Sequence, residues 1–140
     1  MEYIFDTHAH YDDEDFDADR YELLESMKEH GVGTIVNIGA SMRSCKTTLA
    51  LAEKYPFVYG ALGVHPSDCG TMTEEDIQWI KANAANEKIV AIGEIGLDYY
   101  WDNVERDVQK KWFVRQLDIA KETGLPVIIH SRDAAQDTID

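Results

Sequence analysis

The chain has 140 residues, 44% hydrophobic and 10% aromatic, which suits one ordinary domain with a packed core and excludes a largely disordered tail. Thirteen Lys and Arg stand against 27 Asp and Glu, a formal net charge of −14. A broad basic face that holds DNA by displacing counterions is therefore excluded, whereas contact with phosphate through bound metal ions is not.

Taken in chain order, the elements alternate in type. Tyr3–Phe5 reads as a strand. Leu23, Leu24 and Met27 then form an apolar stripe of helical period, with Gly31 placed as its C-cap. Thr34–Ile38 is a second strand, and Cys45, Leu49 and Ala52 mark a second helix by their i, i+4, i+7 spacing. Val58–Leu62 is a third strand. Thr73, three residues before Asp76, has the pattern of a capping box and opens a helix through Ile77, Ile80 and Ala84. Ile89–Ile92 is a fourth strand, followed by a helix bearing Phe113, Leu117 and Ala120 that stops at Gly124. Pro126–Ile129 is a fifth strand, and from Asp133 another helix begins. Strands apolar on both faces, each followed by a helix, predict a parallel sheet with right-handed crossovers. The chain is expected to be one domain, 1–140, and the front part of something longer, since its last helix has barely two turns. No apolar run approaches the ~20 residues of a membrane span, and no signal peptide is expected at the N-terminus. Cys45 and Cys69, with no Cys-x-x-Cys, read as reduced thiols of a cytoplasmic protein.

In such folds chemistry gathers where strands end. His8 and His10 are two apart on a strand, so both rings point to one side and can converge on one ion. Glu94 and His130 stand at two further strand ends. A carboxylate and an imidazole following apolar strand residues gain a physical reason from coordination; the alternative is an ion pair of Glu94 with Arg132 and loop-capping histidines. His65, before Pro66, is either a phosphate donor and proton carrier or a hydrogen-bonded loop histidine. Arg132 has the fork that fits phosphate, but Asp98 and Asp133 are competing partners. Arg43 is a weaker phosphate contact, with solvated surface as its default. His30, at the C-terminal end of the first helix, suits the helix dipole. Tyr99, Tyr100 and Trp101 either stack on a nucleobase or pack over the site. The acidic run from Asp12 to Asp19 is a cation-attracting rim or simply a solvated helix approach. Nucleotide-loop and serine-hydrolase motifs are missing.

Four segments together carry a resemblance: Phe5-Asp6-Thr7-His8-Ala9-His10, Gly63-Val64-His65-Pro66, Gly93-Glu94-Ile95-Gly96-Leu97-Asp98-Tyr99 and Ile129-His130-Ser131-Arg132-Asp133. In this order they resemble the TatD family of metal-dependent hydrolases, many of them deoxyribonucleases. The resemblance implies an α/β fold, the TIM (β/α)8 barrel of metal-dependent hydrolases, with only the first five β/α units present and strands six to eight absent. It implies two divalent ions (Mg, Mn or Zn), with His8 and His10 on one, His130 on the other and Glu94 bridging both. It also implies two-metal hydrolysis of DNA phosphodiesters, with Glu94 and His65 in catalytic roles and Arg132, Tyr99 and Arg43 as substrate contacts. A further histidine and an aspartate of the family pattern have no counterpart here, so a C-terminal half or a second chain is expected to complete the barrel. An amide or lactone hydrolase on the same scaffold, or an inactive fragment, is the alternative.

Overall fold

The structure, a computed structural model, describes residues 2–140. Five strands, β1 (Ile4–Ala9), β2 (Val32–Ile38), β3 (Val58–Leu62), β4 (Ile89–Asp98) and β5 (Val127–Arg132), each precede a helix. These helices are α1 (Arg20–Ser26), α2 (Met42–Lys54), α3 (Glu74–Asn83), α4 (Arg106–Thr123) and α5 (Ala135–Ile139). Every strand pair is parallel and the order is β1-β2-β3-β4-β5. Right-handed crossovers that always step to the next strand in one direction leave all helices on the same face of the sheet.

That face is where most of the core sits. Leu24, Met27, Leu51 and Ala52 of the first two helical segments pack with Ile35 and Val58. Ile77, Ile80, Phe113 and Ile119 pack with Leu62, Ile92, Ile95 and Leu97. A third cluster, Val36, Ile38, Ala61 and Ala91 with Tyr59, Val90 and Ile128, consists of strand side chains alone. On β4, Ile95 and Leu97 are wholly buried in the helix-facing cluster, so Glu94, Gly96 and Asp98 fall on the opposite side by the period of two.

Three strands outrun the sequence expectation. β1 continues past Phe5 through His8, β4 past Ile92 to Asp98, and β5 past Ile129 to Arg132. Polar residues and glycines that looked like terminators lie on the helix-free side, where they do not interrupt core packing, and the ladder continues. Two glycines mark close approach of neighbouring backbone and side chains instead. A Cβ on Gly93 would come within 2.6 Å of Ile128 Cβ, and one on Gly63 within 2.8 Å of the Gly93 carbonyl carbon. The helix ends follow the predicted chemistry. Thr73 and Asp76 form both hydrogen bonds of a capping box, and Gly124, at φ 72°, caps α4 in the left-handed region.

Both cysteines are buried and free. Burial pushes the Cys45 thiol up to about 12 and that of Cys69 up to about 11, so neither forms appreciable thiolate near neutrality. A thiol-reactive disulfide reagent at pH 8 is expected to label neither in the folded protein and both in urea. Rapid labelling without denaturant would show that the core around α2 and β3 is not closed.

Candidate functional site

The site is assembled from the helix-free side of β1, β4 and β5. His8 and His10 point the same way, and their Nε2 atoms are 3.2 Å apart. The His10 Nδ1–H donates to the Ile38 carbonyl at 2.9 Å, which fixes the proton on that nitrogen and leaves Nε2 with a free lone pair. Two imidazole nitrogens each about 2.0–2.1 Å from one ion, at angles between a right angle and the tetrahedral angle, would be about 2.8–3.4 Å apart. The observed pair matches that spacing. The Nε2 atoms of His8 and His10 lie 3.8 Å and 4.0 Å from Glu94 Oε2, while Glu94 Oε1 is 3.5 Å from His130 Nδ1. The two oxygens of Glu94 thus divide between two imidazole groups. Its side chain is 15% exposed, less deeply enclosed than the preceding apolar strand residues suggested.

His130 is oriented from behind. Its Nε2–H donates to Asp98 Oδ2 at 2.9 Å, leaving the Nδ1 lone pair towards Glu94. Asp98 is 2% exposed, and its Oδ1 accepts the backbone N–H groups of Tyr100 and Trp101 at 3.0 Å and 3.1 Å. Burial works to raise the Asp98 pKa, but the Trp101 N–H, the His130 imidazole and the Tyr100 N–H outweigh it and hold the carboxyl below its ordinary value. Asp98 appeared in the sequence only as a competitor for Arg132. Its parity with Glu94 on an extended β4 was the available signal, hidden by ending that strand at Ile92.

His65 sits in the loop after β3, with its ring centroid 4.2 Å from that of His130. Its Nδ1 accepts the Ser67 N–H at 3.1 Å, so in the neutral ring the proton is on Nε2. Burial, and secondarily His130, hold its pKa below the ordinary value. The donor atoms of His8, His10 and Glu94, and separately of His65, Asp98 and His130, each lie within 4.8 Å of one another.

A cleft of about 610 Å³ opens beside these groups, lined by His10, His65, Glu94, Ser44 and the acidic loop that follows His10. Two buried polar side chains shape that loop. Asn37 accepts the Tyr11 N–H at 2.7 Å and donates to Asp12 Oδ1 and Thr48 Oγ1, both at 2.8 Å. Arg20 donates to the Tyr11, Asp12 and Asp13 carbonyls and to the Asp17 carboxylate. The loop's path is therefore ordered, while the carboxylates of Asp13, Glu14, Asp15, Asp17 and Asp19 stay exposed, an acidic wall that is also solvated.

The remaining expected residues are placed differently. Arg43 lines the same cleft but is paired with Glu14 at 2.6 Å. Tyr99 donates its hydroxyl to Asp137 at 2.7 Å, and Arg106 covers its ring at 4.1 Å, so the exposed aromatics of this loop are Tyr100 and Trp101. Arg132 does not pair with Glu94; its guanidinium lies 3.7 Å over the Tyr100 ring. His30 donates from Nδ1 to the Ser26 carbonyl, a helix-end contact.

Residues 5–140 match the family model "TatD related DNase". The chain belongs to the TatD family. It is 47% identical over 136 residues to "Uncharacterized metal-dependent hydrolase YabD" of Bacillus subtilis, covering 97% of this chain and 53% of that protein. It is 34% identical over 131 residues to "3'-5' ssDNA/RNA exonuclease TatD" of Cronobacter sakazakii, covering 94% and 50% respectively. The crystal structure of the TatD homologue YjjV of Escherichia coli superposes with a TM-score of 0.87 at 34% identity, covering 96% of this chain and 53% of that one. The fold is accordingly the five-stranded half of a TatD barrel, and the chain spans about half the length of the curated relatives it matches.

One substitution tests the orientation of His130. An amide at position 98 sets an NH2 group against either the His130 Nε2–H or the Tyr100 and Trp101 N–H groups, whichever way it is turned. Asp98→Asn is therefore expected to weaken Mn²⁺ binding about 10–100-fold, the usual loss for a group that orients a metal-bound histidine. Isothermal titration reads it, and unchanged affinity would remove Asp98 from the site.

Proposed function

We propose that the chain supplies the binuclear metal site of a phosphodiesterase acting on single-stranded DNA. Supporting this most directly is the division of the two Glu94 oxygens between His8 with His10 on one side and His130 on the other. His8 and His10 would hold one divalent ion, His130 the second, and Glu94 would join them; an all-imidazole-and-carboxylate set suits Zn²⁺, Mn²⁺ or Mg²⁺. Ions held there supply Lewis-acid charge for the phosphoryl oxygens and acidify a water at neutral pH.

The chain's own groups then divide the work. His10 and His130 are kept as lone-pair donors by the Ile38 carbonyl and the Asp98 carboxylate. His65, neutral with its proton on Nε2, is a hydrogen-bond donor that suits a phosphate oxygen or a leaving oxygen and does not compete as a positive charge. The acidic wall, held by Arg20 and Asn37, repels a polyanion except where cations neutralise it, so substrate is admitted at the metal site and not along the rim. The aspartate and second histidine of the family pattern would come from the C-terminal half of the barrel, supplied in the same polypeptide or by a second chain.

The test is hydrolysis of a single-stranded oligonucleotide with Mg²⁺, Mn²⁺ or Zn²⁺, by the 140-residue chain and by the same chain joined to the C-terminal half of the B. subtilis relative. Cleavage is expected from the completed chain and little or none from the shorter one. Cleavage of amides or lactones without cleavage of phosphodiesters would overturn the reading.

A further inference from the structure

We propose that Trp101, with Tyr100 and Arg132, forms a nucleobase platform beside the metal site, a subsite for the base of a single strand whose phosphate sits at the ions. The proposal rests on the phosphodiester reading and adds a feature that it does not require.

Three observations carry it. Tyr100 and Trp101 are 54% and 64% exposed although both are large aromatics in an ordered turn. They meet edge to face at 5.1 Å, and the Arg132 guanidinium lies 3.7 Å over Tyr100 and 5.8 Å from the Trp101 centroid. Arg132 thus covers Tyr100 more closely than Trp101, leaving Trp101 the more open of the two rings for stacking. A stacked guanidinium also keeps its in-plane N–H fork available, the geometry that grips a phosphate. In a chain of net charge −14, a cation held against exposed rings two residues beyond His130 suits a ligand that is both anionic and aromatic. A nucleotide strand has that combination.

The platform is also in register with the metal ligands. Arg132 follows His130 by two on β5, so both side chains leave the same face, and Asp98 pairs with Arg132 where Gly96 pairs with His130. The Asp98 carboxylate holds His130 through Oδ2 and the Tyr100–Trp101 backbone through Oδ1. One buried group therefore ties the loop backbone that carries the two rings to His130.

The experiment is fluorescence anisotropy with Mn²⁺ on the full chain, comparing a phosphorothioate oligothymidine with an abasic strand of equal length. The base-bearing strand is expected to bind about tenfold more tightly, the yield of one base on one ring. Trp101→Ala should erase that difference while leaving abasic binding and Mn²⁺ affinity unchanged. Arg132→Ala should weaken both strands. Equal binding of the two strands by the unsubstituted chain overturns the platform and leaves the phosphodiester reading standing. A preference that survives Trp101→Ala also overturns it. Binding of neither strand overturns both.

Discussion

Glu94→Ala is expected to lower Mn²⁺ affinity by more than about 100-fold and to abolish hydrolysis by the completed chain. Loss of a group that merely orients a ligand weakens metal binding about 10–100-fold, and Glu94 is placed to do more. Among the described residues it is the one carboxylate with an oxygen near His8 and His10 and another near His130, so in the proposed two-ion site its removal would strip a donor from each ion at once. The side chain contributes to neither helix-facing cluster of the core, and circular dichroism should show an unchanged fold. Glu94→Gln separates charge from shape, because the amide keeps a single oxygen and turns an NH2 towards the other side. It is expected to retain one weak site, visible as a single titration step where the unsubstituted chain gives two. Two intact steps in Glu94→Ala would show that the carboxylate joins nothing.

Gly96→Ala is expected to be the most damaging conservative change in the sheet. Gly96 has φ 146°, and a Cβ there would run into the His130 carbonyl of the neighbouring strand. Side chain and backbone cannot both be accommodated without separating β4 from β5 next to His130. The loss should reach the ~4–5 kcal/mol range reserved for severe lesions. Gly124→Ala provides the contrast. Its φ of 72° lies in the left-handed region, which a side chain tolerates at modest cost, and nothing lies within 4 Å of the added carbon, so the expected loss is only about 1 kcal/mol. Urea denaturation measures both. Similar losses would mean that the approach of β4 to β5 is looser than the contact implies.

The parallel sheet and the imidazole pair were legible because each depends on short-range periodicity. The spacing of His8 and His10 decides their common direction wherever β1 lies, and Thr73 with Asp76 decides its own cap. The role of Asp98 was not legible in that way. It requires that β4 continue through Gly93 and Gly96, and those two glycines look like breakers until β5 is seen to pass so close to them. The aromatic loop was legible only in part, for a related reason. Tyr99, Tyr100 and Trp101 are equivalent as a sequence, and which ring is free is settled by Arg106 and Asp137, residues brought to Tyr99 by the α4 and α5 helices. Arg43 illustrates the limit of reading single cations, since Glu14 reaches it from across the cleft.

The way Arg20 holds the loop after His10 separates the loop's path from its chemistry. Three of the four groups that Arg20 grips are main-chain carbonyls, which every residue type possesses. Glu14 and Asp15 line the cleft and take no part in that grip. Substitutions there can rewrite the electrostatic character of the entrance, from repelling polyanions to welcoming them, while the chain follows the same course and His10 stays in place. The arrangement leaves room for change in the charge of the rim without disturbing the cluster of His8, His10, Glu94 and His130.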